Sequence, residues 1–301
     1  MPGLRFAIGV TAVLALVGAL YYIILAREPA LPAVVELPAF VPAQPQVIVR
    51  SVSGDATRRS ANGGVVKLVV GDALLESDEV RTGATADAVI AAVGTAGASE
   101  VRLGADTVVG LGATGDFFLS QGSVIAQANG MPLVFGGAGT TGRVRVTGSA
   151  RLLSDGARGL VVGGIRGQTL LENVGQQVSV GPNQVAQLRA ALPPSRSWAI
   201  PASLLLKVRW PQATELASRK LRVTGEASPG SLIRVHGARA LSDEGGRFSA
   251  DIDLAEGVNT LSLTAEDAAG RKKQSEIKVR VDTTPADVGV ETSPEMWHKR
   301  Q

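Results

Sequence analysis

VVKLVVGDALLESDEVRTG, residues 65–83, decides how the rest of the chain is read. Its apolar residues come in short runs, closed first by Gly71-Asp72 and then by Gly83. The same rhythm continues through Gly94, Gly104, Gly115, Gly122 and Gly130 and reaches Leu188. Short runs of Val, Leu and Ile with turn signals about every 8–12 residues are the pattern of strands. A helix would need apolar residues at i, i+3 and i+4 over a dozen positions, without interior glycines at about 1 kcal/mol each. The stretch predicts a mainly β domain of many short strands.

Working outward, further strand candidates fall at residues 142–147, 150–154, 159–162, 168–172, 176–180 and 184–188. Asp155-Gly156, Gly163-Gly164 and Asn173 to Gly175 separate them and are the residue types that tight turns require. Arg143, Arg145 and Arg151 are predicted to share a solvent face, with Val144 and Val146 turned inward. A solvated sheet face is the plain reading of those arginines, and an anion site the sharper one.

Composition narrows the classes. A chain of 301 residues suggests about two domains, and 36 Gly with 4% aromatics points to tightly turned β structure. The net charge of +3 comes from interspersed residues and lacks the dense positive stripe that a nucleic-acid partner requires. Arg271-Lys272-Lys273, the nearest thing to a basic cluster, reads as a solvated hairpin end. The sequence has no cysteine, which excludes disulfides, thiolate metal sites and cysteine nucleophiles.

Toward the N-terminus, FAIGVTAVLALVGALYYIILA (residues 6–26) is uncharged and long enough to span a bilayer. It is expected to be a retained transmembrane helix, with Phe6, Leu14, Leu16 and Ile24 in lipid and Tyr21 and Tyr22 near one interface. As a cleaved signal it would be too long, and Leu25-Ala26-Arg27 is a poor cleavage site. Arg5 before the span, against Arg27 followed by Glu28, favours a short cytoplasmic end at residues 1–5 and the bulk of the chain outside the cytoplasm. Residues 27–46 carry Pro29, Pro32, Pro38, Pro42 and Pro45, the composition of a semi-rigid stalk. The expected order continues with a β domain (47–192), a Pro-marked linker (193–205), a second β domain (206–285) and a flexible tail (286–301) containing Trp297.

The first β domain carries an ordered set of short motifs. They are Gly71-Asp72, Val80-Arg81-Thr82, Val101-Arg102-Leu103, the step from Leu119 through Gly122 to Val124, Val146-Thr147-Gly148-Ser149, and Gly175-Gln176 with Gly181-Pro182. In that order they resemble the FecR domain family over residues 49–188. Ala98-Ser99-Glu100 and Gly148-Ser149-Ala150-Arg151 depart from the family's pattern. The resemblance implies an envelope protein that senses or relays a signal. Its best-known members touch a sigma factor through a cytoplasmic segment, and about five residues are too few for such an interface.

Residues 206–284 read as short alternating strands, clear in Leu221-Val223 and Ile277-Val279-Val281, as a two-sheet sandwich needs. Gly225, Pro229-Gly230, Gly246 with Phe248, Asn259, Asp267 and Gly270 occur in the order that resembles bacterial Ig-like domains. That resemblance implies an Ig-like β-sandwich of the kind repeated in envelope and secreted proteins.

Material for chemistry is scarce. His236, placed in a strand, and His298, in the tail, have no partner at ligand spacing. Asp251, Asp253, Asp267 and Asp282 could gather at one loop end and bind calcium, but solubility on alternate strand positions is the favoured reading. Outside residues 6–26 there is no Tyr, and Trp198, Trp210 and Trp297 are the only Trp, which argues against a glycosidase or a strong glycan binder. The expectation is a non-enzymatic, single-pass protein of a bacterial inner membrane, without cofactor, metal or small-molecule substrate. Its FecR-like and Ig-like units would meet a periplasmic protein partner, with signal relay as one role. The alternative is a scaffold or spacer that binds cell-envelope components or cell-wall polymer.

Overall fold

The computed structural model of the chain describes residues 46–94, 97–137, 140–157 and 159–284. Every regular element among them is a β-strand, as the sequence rhythm predicts. The expected anchor, most of the stalk and the tail lie outside the described residues. Among the described residues no helix is long and apolar enough to cross a membrane.

The first module opens with β1 (Gln46–Ser53), β2 (Ala56–Arg59), β3 (Val65–Lys67), β4 (Ala73–Leu74), β5 (Glu79–Thr82) and β6 (Asp87–Gly94). It continues with β7 (Gly97–Leu103), β8 (Val108–Leu111), β9 (Phe117–Gln127), β10 (Leu133–Gly137), β11 (Arg143–Val146) and β12 (Ser149–Ser154). It closes with β13 (Leu160–Arg166), β14 (Thr169–Asn173), β15 (Gln176–Val180), β16 (Gln184–Leu188) and β17 (Trp198–Ala199). One sheet runs β4-β1-β6-β7-β9-β12-β13-β16-β17. The other runs β3-β2-β5-β8-β9-β10-β11-β14-β15, antiparallel except between β9 and β10.

Strand β9 belongs to both sheets. It changes sheet at Gly122, whose φ is 97°, and a Cβ there would stand 2.6 Å from the Thr107 backbone. Only glycine fits both demands. Alternation fills the space between the sheets: Val80, Val101, Leu119, Val124, Val144 and Leu152 all point into one core, where Phe117 and Phe135 stack at 5.4 Å.

The module also contains an internal repeat. β5 pairs with β8 in one sheet while β6 pairs with β7 in the other, and β11–β14 with β12–β13 follow the same path. Each copy turns its first corner on a Thr-Gly. The Thr82 backbone N–H donates to the Thr107 carbonyl at 2.9 Å, and that of Thr147 to the Gln168 carbonyl at 3.3 Å.

The second module comprises β18 (Leu206–Arg209), β19 (Glu215–Leu216), β20 (Lys220–Ala227), β21 (Leu232–Val235), β22 (Ala238–Leu241), β23 (Arg247–Asp253), β24 (Gly257–Glu266) and β25 (Lys272–Val281). Sheets β18-β20-β23 and β19-β25-β24-β21-β22 enclose a separate core around Val223, Phe248, Ile252, Leu261 and Val279.

Two expectations change. Gly163 and Gly164 are not a turn but lie inside β13, because other backbone comes close to both: Ala268 at the first and Gly181 at the second. Residues 193–205 do not hang between domains. β17 pairs with β16, and the Ile200 N–H donates to the Asn183 carbonyl at 2.9 Å. The described residues, from 46 to 284, belong to a single compact unit.

Candidate inter-module site

The hairpin end between β24 and β25, Glu266-Asp267-Ala268-Ala269-Gly270-Arg271, is where the second module enters the first. Its shape is set locally. The buried Asp267 carboxylate accepts from the N–H groups of Ala269 at 3.0 Å and Arg271 at 2.9 Å, and Gly270 takes φ 84°. Such an Asx-type turn needs the short acceptor and a residue that tolerates positive φ. Arg271 pairs with Asp267 at 2.6 Å and donates to the carbonyls of Pro201 and Ala202, tying the connecting segment to the same turn.

Glu266 is a carboxylate almost wholly removed from solvent. It accepts from Arg151 Nη1 at 2.9 Å and Ser123 Oγ at 2.9 Å, both from the first module, and from Arg234 Nη1 at 3.0 Å on β21. Burial pushes its carboxyl upward, but Arg234, the Ser123 hydroxyl and Arg151 together outweigh burial and hold it below the usual range. Arg151 is therefore not on a solvent face with Arg143 and Arg145, as its sequence spacing suggests. The Nε atoms of Arg151 and Arg234 are buried without a protein partner, so this cluster is not fully satisfied.

Ala268 lies at the centre of the contact. A Cβ on Gly163 would meet the Ala268 methyl at 2.7 Å, so the first module leaves a bare strand position where the hairpin tip sits. Around it Leu153, Val161, Val185 and Leu232 form a small buried cluster, with Trp198, Ile200 and Leu241 against it. At about 1.5–3 kcal/mol for each large buried aliphatic side chain, this cluster supplies the drive for docking. A buried ion pair adds little net stability by itself but penalises any other arrangement. Gly230 completes the seam against Val161, and the Leu241 N–H donates to Asp155 Oδ2 at 3.3 Å. Nearby, Gln121 accepts from Arg239 at 3.4 Å. Burial lowers the Arg239 pKa despite Asp106, and Arg234 and Arg81 lower it further.

A cavity of about 450 Å³ opens along this seam, between Leu160, Val161 and Leu188 on one side and Leu241, Ser242 and Asp243 on the other. Its polar groups are mutually engaged. Gln187 Nε2 donates to the Ser242 carbonyl at 3.2 Å, while Arg189 donates to Gln187 Oε1 at 2.7 Å and meets Glu244 at 3.5 Å. The cavity is a fold of the interface, with its polar groups turned to each other.

The motif residues read from sequence are structural. Gly71 and Asp72 make a turn, with Asp72 Oδ2 accepting from the Val69 N–H at 3.0 Å. Val80 enters the core, and Thr82 Oγ1 donates to the Gly104 carbonyl at 2.6 Å. Gly122 rests on Thr107, and Gly148 on the Arg166 backbone. In the second module Gly225 lies under the Phe248 ring, Gly246 faces the Ala227 carbonyl and Pro229, and Asn259 Nδ2 donates to the Ala255 carbonyl at 2.8 Å. Asp267, Gly270 and Gly230 come together at the seam; the others do not. His236 sits in a turn at φ 45° and not in a strand. The four aspartates do not converge: Asp251 pairs with Arg222 at 2.7 Å, Asp253 lies opposite Lys220 on β20, Asp267 pairs with Arg271, and Asp282 accepts from the Thr284 N–H at 3.0 Å. Among the described residues no group of acidic or histidine side chains is placed to hold a metal ion. The residues that sequence reading missed are Ser123, Glu266 and Ala268. An acidic doublet at the end of a strand was the one visible signal.

No family model matches the chain, and no curated protein matches it. Among solved structures it is similar to a polysaccharide lyase, at 10% identity and a TM-score of 0.20, over 81% of this chain and 40% of the lyase. It is also similar to a Ca²⁺-stabilized adhesin with which an Antarctic bacterium binds ice, at 14% identity and a TM-score of 0.19, over 80% of this chain and 91% of the adhesin. A 1.5-MDa bacterial ice-binding adhesin gives 15% identity and a TM-score of 0.19, over 78% of this chain and 88% of that structure. The chain spans well under two thirds of the lyase.

Proposed function

We propose that the protein is a non-enzymatic, membrane-anchored envelope protein of bacterial type. Its FecR-like and Ig-like modules form one stiff body that is presented to other components of the periplasm. The observation that carries this reading is the junction at Glu266, where a buried carboxylate and an apolar cluster hold the second module on the first. Swinging one module away would part Glu266 and Arg234 from Arg151 and Ser123 and expose the apolar cluster to water, at about 1.5–3 kcal/mol for each large side chain uncovered. Such a body suits presentation and docking better than a relay by relative motion of its parts. The uncharged run at residues 6–26 supplies the anchor and the proline-rich residues 27–46 the spacer.

The test is recovery of the full chain from detergent-solubilised cells through a C-terminal tag, after cross-linking in intact cells. An envelope protein or cell-wall material should come down with it from the membrane fraction. Recovery from the soluble fraction, with no envelope component attached, would overturn the proposal.

A further inference from the structure

The outer face of the sheet that runs from β3 to β15 has a basic and aromatic arrangement that the Glu266 junction does not use, although its Arg81 end lies within electrostatic reach of Arg239 in the second module. Cross-strand register places Phe118 of β9 between Gly110 of β8 and Gly136 of β10. Its ring spans two positions without side chains: a Cβ on Gly112 or on Gly136 would stand 2.8 Å from ring carbons. The residue is 48% exposed, although a phenylalanine in a sandwich ordinarily points inward, as its neighbour Phe117 does at 1%. Bare backbone on both sides leaves this ring half exposed at the surface.

The basic residues flank the ring on both sides. Arg81 of β5 lies two strands away in one direction and Arg143 and Arg145 of β11 two strands away in the other. Two strand spacings are about 10 Å sideways; level with Phe118 stand Glu79 on one side and, by continuation of the register, Arg143 on the other, while Arg81 and Arg145 are each about 7 Å further along their strands. Arg59 and Lys67 continue the line to the sheet edge through β2 and β3. Against them stand Glu79, at a loose 3.7 Å from Arg81, and Glu172, opposite Arg143. The face is net basic, and it is a sheet surface without a cleft.

We infer that this face binds a linear anionic polysaccharide, with a sugar ring packed on Phe118 and carboxylate or phosphate groups held by Arg81 on one side and Arg143 and Arg145 on the other. An aromatic face carries negative charge density and accepts the C–H side of a sugar ring. Guanidinium groups meet carboxylates and phosphates through paired hydrogen bonds. A flat face suits an extended chain, whereas a small ligand needs concavity. Single-stranded nucleic acid fits less well, because successive bases need successive aromatic platforms and Phe118 is the one exposed Phe among the described residues. The inference deepens the proposed envelope role by naming one surface and its ligand. The polymer assay needs no envelope partner, so the two readings fail separately.

The experiment measures binding of purified full-length chain in detergent to polygalacturonate, with fully methyl-esterified polymer and oligothymidylate as comparisons. Wild type should bind polygalacturonate in a salt-sensitive manner and the esterified polymer at least about tenfold more weakly. Phe118→Ala should weaken binding about three- to tenfold with the salt dependence unchanged. Arg143→Ala with Arg145→Ala should weaken it about tenfold or more and flatten the salt dependence. All of these side chains are exposed, and unchanged thermal transitions would show that the variants fold. No binding of wild type to polygalacturonate, equal binding by Phe118→Ala, or tighter binding of either comparison polymer would each overturn the inference.

Discussion

Glu266 and Arg151 meet at 2.9 Å although 115 residues separate them in sequence. The contact joins the last strand-to-strand turn of the second module to the middle of the first. Its energetics are asymmetric: the complete cluster is worth little over an apolar substitute, while an incomplete one leaves charge buried and unpaired.

Glu266→Ala should therefore destabilise the chain by about 3–5 kcal/mol. Replacing Glu266, Arg151 and Arg234 together with Leu and Met should restore most of that loss or exceed wild type. Urea unfolding of the three proteins checks this, and equal loss in the single and triple variants would contradict it.

Acid should weaken the junction. A carboxyl held below its ordinary value contributes stability that is fully present above the unfolded value of about 4.3 and disappears as pH falls through the lower folded value. The stability difference between wild type and Glu266→Gln should stay constant from neutral pH down to about 5 and shrink below about 4. Thermal midpoints across that range measure it; a difference that grows on acidification would reverse the sign.

Gly163→Val would put a branched side chain where Ala268 sits. Overpacking of this kind costs about 1–3 kcal/mol and should lift the hairpin tip out of its seat. Trp198, packed at the edge of the same cluster, should emit at longer wavelength in the variant. An unshifted spectrum with undiminished stability would show that the tip is not seated there.

Gly122→Ala should damage the first module more than Gly175→Ala. Both positions have positive φ, but the added methyl meets Thr107 at the first and open space at the second. About 1 kcal/mol is expected from φ alone at Gly175, and clearly more at Gly122. Denaturant midpoints of the two variants rank them.

Strand identity was legible because it is written locally: Val80, Val101, Leu119 and Val124 alternate with polar neighbours, and the turns carry their own glycines. What the chain does with Gly163 and Gly164 was not, since a glycine that makes room for distant backbone looks the same as one that makes a turn. Arg151 misled for a similar reason. Its spacing matches Arg143 and Arg145, and only Glu266, supplied from the other module, distinguishes it. Phe118 was hidden inside a Phe-Phe pair whose partner is core. The internal repeat left a faint trace, Val80-Arg81-Thr82-Gly83 against Arg145-Val146-Thr147-Gly148, too short to stand out before the corners were seen.

Because β9 serves both sheets, the two halves of the first module are not beads that can be parted. The earlier half is complete only when residues 117–127 have been made, and it then offers an unfinished edge to the aqueous phase. The later half is laid down on that edge, β10 and β12 taking the two ends of the same strand. Assembly thus has a direction imposed by connectivity: the first half must be kept from meeting a stranger's strand until the second has arrived.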